Sequence, residues 1–403
     1  MTDGESAATL ALRAPRMFDG RRWAGPVTVL IAQGQVRAID TRPVELPPEW
    51  AVMDLGDDAC LVPGLIDAHV HLSLNGTDQA IRDIQAAGEA DLVARVRDRA
   101  KLALSAGVTT VRDLGDRGYA VVAARQQAAA GRETLPEMLA SGPPLTSARG
   151  HCWFLGGEVK DASAARAAVR DRKARGCDVV KVMVSGGYLT AGTDPGSQQL
   201  EAEIVAAIVD EADRRHLPTA AHVHGPGPVA AAVAAGFGTL EHVSFLTASG
   251  VRRDPRIVKR VARSGCTVSA TVGVRAGTGP PSAEAEEMYQ SIKALFAEGA
   301  RVIAGSDAGT SAQRPHDVLP SSIAVLAELG LGTEEALRSA TSTAAEALGL
   351  GARKGRIAPG YDADIVAVSG NPQADLAALT RIRAVLCRGR LVETSAGDRD
   401  KRA

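Results

Sequence analysis

The chain has 403 residues, of which 45% are hydrophobic and 23% are charged, as is ordinary for a globular protein. Lys plus Arg number 46 against 47 for Asp plus Glu, so the formal net charge is -1. That balance gives no reason to expect a strongly basic surface, and aromatic residues at only 3% argue against base stacking. We therefore expect neither nucleic acid nor a membrane as partner.

The first residues, Met1 to Arg16, lack a basic segment followed by an apolar core. No apolar run anywhere approaches the length that spans a bilayer. The five cysteines are scattered, odd in number and without CxxC spacing: Cys60, Cys152, Cys177, Cys266 and Cys387. This pattern is typical of reduced thiols in a protein core, so we predict a cytoplasmic location.

Both ends of the chain show short apolar runs broken by Gly, Pro and charged residues, which predicts strands. The predicted strands are Leu10–Arg13, Val27–Ile31, Gln35–Ile39, Ala51–Leu55, Gly355–Ile357, Asp364–Val368 and Ile382–Leu386. We expect residues 1–61 and 351–403 to form one composite β-sandwich domain.

Between residues 62 and 350, short apolar runs alternate with Ala-rich amphipathic stretches about eight times. The runs after the first are Gly107–Asp113, Glu137–Leu145, Asp178–Val184, Thr219–His224, Thr239–Val243, Cys266–Val272 and Arg301–Asp307. The predicted helices are Leu92–Ser105, Ala162–Arg175, Glu201–Arg215, Val229–Ala235, Ala283–Glu298 and Thr333–Leu348. This α/β alternation predicts a (β/α)8 TIM-like barrel over 62–350, with catalytic groups at the C-terminal ends of its strands.

The first barrel strand ends in two histidines, His69 and His71, two residues apart. Side chains at i and i+2 of a strand point to the same face, so both imidazoles can converge on one point. Two imidazoles aimed at one point suit a metal ion.

Later strand ends carry further polar groups: His222 and His224 after the fifth, His242 after the sixth and Asp307 after the eighth. The fourth strand contains Lys181, and an unpaired buried ammonium is costly. Lys181 either pairs with a barrel acid such as Asp307 or reacts with CO2 to give a carbamate. Together these N and O donors suit a divalent transition metal.

With these residues at these positions, the chain resembles the amidohydrolase superfamily over almost its whole length. Within it, the chain most resembles the branch of metal-dependent carboxypeptidases and Xaa-Arg or Xaa-Lys dipeptidases, often described as prolidase-like or imidazolonepropionase-like. Ochratoxin-type amidases (ochratoxinase-like enzymes) belong to the same neighbourhood. The matching stretches are Pro63–His71, Gly150–His151, Lys181–Gly187, His222–Gly225, Glu241–Phe245 and Gly355–Val366.

The resemblance implies a binuclear site, usually with two Zn²⁺ ions. His69 and His71 would hold one metal with Asp307, and His222 and His242 would hold the other. A CO2-derived carbamate on Lys181 would bridge both. His222 is preferred to His224 as the ligand because of its position before the strand end and its spacing to His242.

The implied reaction is hydrolysis of the amide bond of a dipeptide or N-acyl amino acid, a small-molecule substrate, by a metal-bridging hydroxide. Asp307 would accept the proton of the attacking water and pass it to the leaving nitrogen. His151 or His224 would help to stabilise the oxyanion.

Loops after the strands offer candidate substrate contacts, namely Arg149, His151, Tyr188, His224 and Arg275. Arg149 and Arg275 could instead be solvated loop cations, and Tyr188 could roof the barrel. We expect the stretch Thr271 to Glu286 to be a mobile loop over the site.

Two other functions fit parts of the pattern. One is hydrolysis of a cyclic amide, as in imidazolonepropionase-like enzymes, or of a lactone. The other is a catalytically silent barrel used for assembly, although every ligand position here is filled. Relatives are often oligomers, so a homo-oligomer is possible.

Overall fold

The computed structural model of the chain describes residues 9–42, 44–275 and 281–392. Within these ranges no helix has the length and apolar character needed to cross a membrane. All five cysteines are buried and unpaired, as their scattered spacing predicts.

The strands are β1 (Leu10–Ala14), β2 (Arg16–Phe18), β3 (Trp23–Ala24), β4 (Val27–Ala32), β5 (Gln35–Asp40), β6 (Ala51–Asp54), β7 (Ala59–Pro63), β8 (Leu65–Val70), β9 (Val108–Asp113), β10 (Glu137–Ala140), β11 (Val180–Met183), β12 (Thr219–Val223), β13 (Thr239–His242), β14 (Leu246–Thr247), β15 (Gly250–Val251), β16 (Thr267–Thr271), β17 (Arg301–Gly305), β18 (Ile365–Ser369), β19 (Ile382–Cys387) and β20 (Arg390–Val392). The α-helices are α1 (Ala80–Ala86), α2 (Glu89–Ser105), α3 (Ala120–Ala130), α4 (Ala162–Ala174), α5 (Ala202–Arg214), α6 (Pro226–Ala235), α7 (Pro255–Arg263), α8 (Ala283–Ala297), α9 (Leu319–Leu326), α10 (Gly332–Ser339) and α11 (Ser342–Ala347).

The middle of the chain is α/β with parallel sheets. One sheet has the order β10-β9-β8, and the other has the order β11-β12-β13-β16-β17. Single parallel bridges join the two sheets at Leu145 with Val182 and at Val70 with Ala308. The C-terminal ends of these strands therefore lie at a common edge, where the candidate residues are.

Amphipathic helices cover the parallel strands. On α5, for example, Ile204, Ile208 and Ala212 recur every four residues and are buried, which is the apolar stripe that a helix presents to a sheet. Ser282 is the N-cap residue of helix α8. Its side-chain oxygen accepts a hydrogen bond from the backbone N–H of Ala285, as is usual for a serine in this position.

The two ends of the chain share a sheet of order β20-β19-β18-β7-β2-β3, beside a four-stranded sheet of order β5-β4-β1-β6. Their facing side chains form a separate apolar cluster that includes Leu12, Val29, Leu61, Ile365 and Leu386. Strand β7 runs through the predicted boundary between residues 61 and 62 and continues almost directly into β8. The division into two domains stays a prediction.

A cluster of charges joins the parallel strand β10 to the C-terminal segment. The Lys354 Nζ atom lies 2.5 Å from Asp364 Oδ2, 3.1 Å from Asp362 Oδ2 and 3.3 Å from Glu137 Oε2. Arg353 also pairs with Glu137 and with Asp362. The Lys354 side chain is 1% exposed, and the three carboxylates around its ammonium group compensate this buried charge.

Most predicted elements agree with the structure to within a few residues, but two predictions are wrong. The single helix predicted over Thr333–Leu348 is two helices, α10 and α11, because the backbone between them is non-helical at Thr341, with φ of -136° and ψ of -102°. The strand predicted at Gly355–Ile357 is absent, because Gly355 adopts a left-handed φ of 80° against the Thr341 backbone.

The predicted loop Thr271–Glu286 begins in β16 and ends inside α8. Its central residues, 276–280, lie outside the described residues, so the prediction that this loop is mobile stays untested.

Candidate metal centre

The first group of candidate ligands lies where β8 and β17 end. His69 and His71 point their Nε2 atoms at one carboxylate oxygen, Asp307 Oδ1, at 3.5 Å and 3.4 Å. The Asp307 backbone N–H donates to the His69 carbonyl at 2.8 Å, which ties the two strand ends together. Their potential ligand atoms all lie within 4.8 Å of one another, so the three residues could hold one ion.

The second group consists of His222, His224 and His242, whose potential ligand atoms also lie within 4.8 Å of one another. His222 Nδ1 is 2.9 Å from His242 Nε2, and the two ring planes meet edge-on at 73°. The other ring nitrogens are held by neutral oxygens, since His222 Nε2 meets the Gly186 carbonyl at 3.0 Å and His242 Nδ1 meets Thr271 Oγ1 at 2.7 Å.

His224 is oriented differently from His222. Its Nδ1 atom lies 2.7 Å from Ser244 Oγ, so Nε2 is left for a further partner. Its ring stacks on His242 with a centroid separation of 4.8 Å. The geometry brings both histidines of the second His-x-His pair to the centre.

Lys181 lies on β11 and is 1% exposed, yet its Nζ atom has no hydrogen-bond partner among the described residues. Burial lowers the pKa of its amine to about 8, and the charges of Glu241 and Asp307 oppose that change. The positive charge of Lys181 acts on both groups of candidate ligands. It helps to lower the pKa of His69 in the first group and the pKa of His242 in the second. An orphaned amine that lines the same cavity as both groups of candidate ligands fits a site that binds divalent metal through a modified lysine.

A buried ion pair orients His69. The His69 Nδ1 atom lies 2.8 Å from Glu241 Oε2, and Glu241 Oε1 accepts from Arg112 Nη2 at 2.9 Å. Arg112 also donates to the Ala68 carbonyl and to Thr239 Oγ1. A histidine whose Nδ1 is held by a carboxylate presents Nε2 to a metal, and such outer partners are a recurrent part of metal sites.

The sequence patterns considered above give no role to Arg112 or Glu241. A signal for them was present, because each is a charged residue inside a buried parallel strand, like Lys181. A charge in such a position has to be paired, and pairing across β9 and β13 could have been expected.

Electrostatics keep Asp307 ionised. Burial would raise the pKa of its carboxyl group, but the hydrogen bond from His71 and the charges of His71 and Arg314 lower that pKa well below its usual range. Burial lowers the pKa of His69 to about 4, helped by the charge of Lys181. Near neutral pH, His69 is therefore a neutral ring with a lone pair available for a metal.

The centre opens into a cavity of about 360 Å³, and the candidate substrate residues differ in their relation to it. His151 and Tyr188 line the cavity, whereas Arg149 and Arg275 are not among its lining residues. The Arg149 guanidinium lies over the Trp153 ring, 5.3 Å from its centroid, and Arg275 lies 3.6 Å from Asp317.

His151 is buried, and its Nδ1 atom has no hydrogen-bond partner among the described residues. Its ring centroid is 4.6 Å from that of His222. Gly187 permits this approach, since a Cβ atom there would lie only 2.7 Å from the His151 ring. His151 therefore stands at the wall of the cavity next to the second group of histidines.

A comparison with protein families matches residues 60–392 of this chain to the amidohydrolase family. Ochratoxinase from Aspergillus niger is 29% identical over 364 residues, covering 81% of this chain and 73% of that protein.

Two solved structures have the same fold. A prolidase in complex with N-methylphosphonate-L-proline superposes with a TM-score of 0.83 and 26% identity, covering 96% of this chain and 100% of that one. A Xaa-Pro dipeptidase with bound methionine superposes with a TM-score of 0.84 and 23% identity, covering 96% of this chain and 100% of that one. Such neighbours imply a TIM-like barrel for the parallel strands described above.

Proposed function

We propose that this chain, which belongs to the amidohydrolase family and is a hydrolase of C–N bonds, cleaves a dipeptide or N-acyl amino acid with two divalent metal ions. The observation that carries the proposal is Lys181, a buried amine that has no hydrogen-bond partner among the described residues and lines the same cavity as the two groups of candidate metal ligands. A purely structural lysine in that position would be paired.

In this proposal, His69, His71 and Asp307 hold one ion, and His222 and His242 hold the other. A CO2-derived carbamate on Lys181 would supply ligand oxygens to both ions. When bound, two such cations lower the pKa of a water molecule and polarise the scissile carbonyl. Zinc is the metal that we propose, because His and carboxylate donors suit it.

Asp307 is the proposed proton carrier. Its carboxylate is kept ionised by its neighbours, so it can accept a proton when the water oxygen bonds to the carbonyl carbon. The same proton then passes to the amide nitrogen as the C–N bond breaks. The products are a carboxylate and an amine, and no covalent enzyme intermediate forms.

His151 and His224 are the proposed donors to the carbonyl oxygen. Both line the cavity, and His224 is oriented by Ser244 through its Nδ1 atom. A neutral ring that donates one N–H toward the developing negative charge would stabilise it without moving. Tyr188 and Arg149 remain proposed substrate contacts, and only Tyr188 lines the cavity.

The proposal includes the finer architecture expected from the sequence, a closed catalytic barrel over 62–350 with a β-sandwich of residues 1–61 and 351–403. The shared apolar cluster between the two terminal sheets supports the sandwich. A cytoplasmic location and a homo-oligomer also stay predictions.

The proposal is tested by a hydrolysis screen. Metal-loaded enzyme is given a panel of dipeptides and N-acyl amino acids, amine release is measured, and bound metal is counted in parallel. We expect release that disappears in the His69→Ala variant. No release with two metals bound per chain would contradict the amide specificity and favour a cyclic amide or lactone as substrate. No stoichiometric metal would contradict the centre itself.

A further inference from the structure

The cavity over the metal centre has an apolar wall that the proposed reaction does not use. Helix α8 contributes Met288, Tyr289 and Ile292 to this wall. Leu189, from the loop after β11, and Leu246 also line the cavity. The wall is thus built from three separate parts of the chain, two of them outside helix α8.

The same cavity offers few charges to a substrate. Among the described residues that line it, Asp307 is the sole carboxylate, and the cations are Lys181 and Arg314. Arg314 Nη1 donates to the carbonyls of Thr271 and Ser306 and lies 3.8 Å from Asp307 Oδ2, so it belongs to the metal end. Residues 276–280, which the structure does not describe, have no ionisable side chain.

Glu284, on the first turn of α8, does not supply the missing negative charge inside the cavity. Its Oε2 atom accepts from the Tyr188 hydroxyl at 3.1 Å, and Glu284 itself is exposed and is not among the lining residues. A cationic substrate side chain entering the cavity would therefore lose its hydration without gaining a partner, which is unfavourable.

From this arrangement we infer that the enzyme selects substrates with a compact, uncharged apolar side chain beside the scissile amide, and that helix α8 is the selecting element. The inference rests on the proposed function for its reaction but not for its binding preference. It separates this chain from enzymes that cleave before arginine or lysine, because those substrates need a carboxylate that this wall lacks.

A matched pair of ligands tests the preference. N-acetyl-norleucine and Nα-acetyl-lysine share an unbranched four-carbon side chain and differ in the ammonium group that ends the lysine side chain. We expect metal-loaded enzyme to bind the norleucine compound at least about ten-fold more tightly in calorimetry, and to hydrolyse it with a correspondingly higher kcat/KM. Equal binding, or tighter binding of the lysine compound, would overturn the inference.

The binding and hydrolysis measurements distinguish a wrong reaction from a wrong side-chain preference. If neither compound is hydrolysed, the proposed reaction on N-acyl amino acids is wrong, while the order of the two binding constants still decides the specificity. If both are hydrolysed and the lysine compound is preferred, the reaction stands and the inference is wrong.

Variants of α8 test whether this helix is responsible. Met288→Glu places a carboxylate on the wall, and we expect it to shift the binding ratio by at least about ten-fold toward Nα-acetyl-lysine. Ala297→Glu adds the same charge at an exposed position of the same helix and should leave the ratio unchanged.

Met288→Gln, a milder change of similar size, covers the case in which the glutamate variant does not fold. It should lower the preference for norleucine several-fold. A wild-type ratio in a folded Met288 variant would exclude α8 as the selecting element.

Discussion

Two buried lysines in this protein have opposite surroundings. Lys354 has three carboxylates within 3.3 Å, whereas Lys181 has no hydrogen-bond partner among the described residues. Burial lowers the pKa of both amines, but Asp364 and Glu137 more than compensate at Lys354 and raise its pKa. A paired lysine stabilises the fold, whereas an unpaired one indicates chemistry that the protein atoms alone do not complete.

We expect Lys181→Ala to have the largest effect. The variant should lose bound metal and reduce kcat/KM by more than about 10⁴-fold, since electrostatic stabilisation and proton transfer are lost together. Metal content and turnover are measured with and without a short-chain carboxylic acid, which should partly restore both. Lys173→Ala, at an exposed position of α4, is the control. Full activity in Lys181→Ala would remove the bridge from the proposal.

Asp307→Asn should have the next largest effect. The amide cannot accept a proton as the carboxylate does, so we expect turnover to fall by roughly 10²-fold or more while the fold is kept. Circular dichroism checks the fold and steady-state kinetics measure the loss. If turnover stays within a few-fold of the wild type, another group carries the proton.

Lys354→Met should affect stability rather than chemistry. It leaves Glu137, Asp362 and Asp364 without their shared cation, and breaking a buried ion pair in this way costs about 3–5 kcal/mol. Denaturant unfolding measures that loss, and activity per folded molecule should be unchanged. Lys173→Met is the matched control. A loss of activity beyond the loss of folded protein would show that the two lysines are not functionally separate.

Glu137→Gln should have the smallest effect, visible as a change in pH dependence. Arg353 and Lys354 lower the pKa of Glu137 although burial would raise it, so its contribution to stability is present above the unfolded pKa of about 4.3 and lost as pH falls through the folded value. The wild type should therefore lose about 1 kcal/mol more than Glu137→Gln between about pH 6 and about pH 3. Parallel curves would mean that this carboxylate is not stabilised by its neighbours.

The sequence was enough to predict that five residues lie close together, because this prediction needs only the assignment of the strands. They are His69, His71, His222, His242 and Asp307. Parallel strands deliver their C-terminal ends to one edge, whatever the loops do. Barrel closure and the domain boundaries involve the whole sheet, and these stay predictions.

The loop residues could not be placed in the same way. Arg149 has a left-handed φ of 53° and lies over Trp153, a conformation set by contacts with Glu158 and not by its own sequence neighbourhood. The support of His69 by Arg112 and Glu241 was accessible in principle, because buried charges on neighbouring strands must find each other.

The pairing of β7 with β18 has a consequence for how the chain is made. Residues 59–63 form backbone hydrogen bonds with residues 365–369, about 300 positions later. At ribosomal rates the earlier strand waits roughly 15 to 60 s for its neighbour to be synthesised. During that time the edge of β7 that will pair with β18 has no partner, and β7 leads directly into the strand that carries His69, so the nascent chain passes through a long aggregation-prone interval before this sheet is complete.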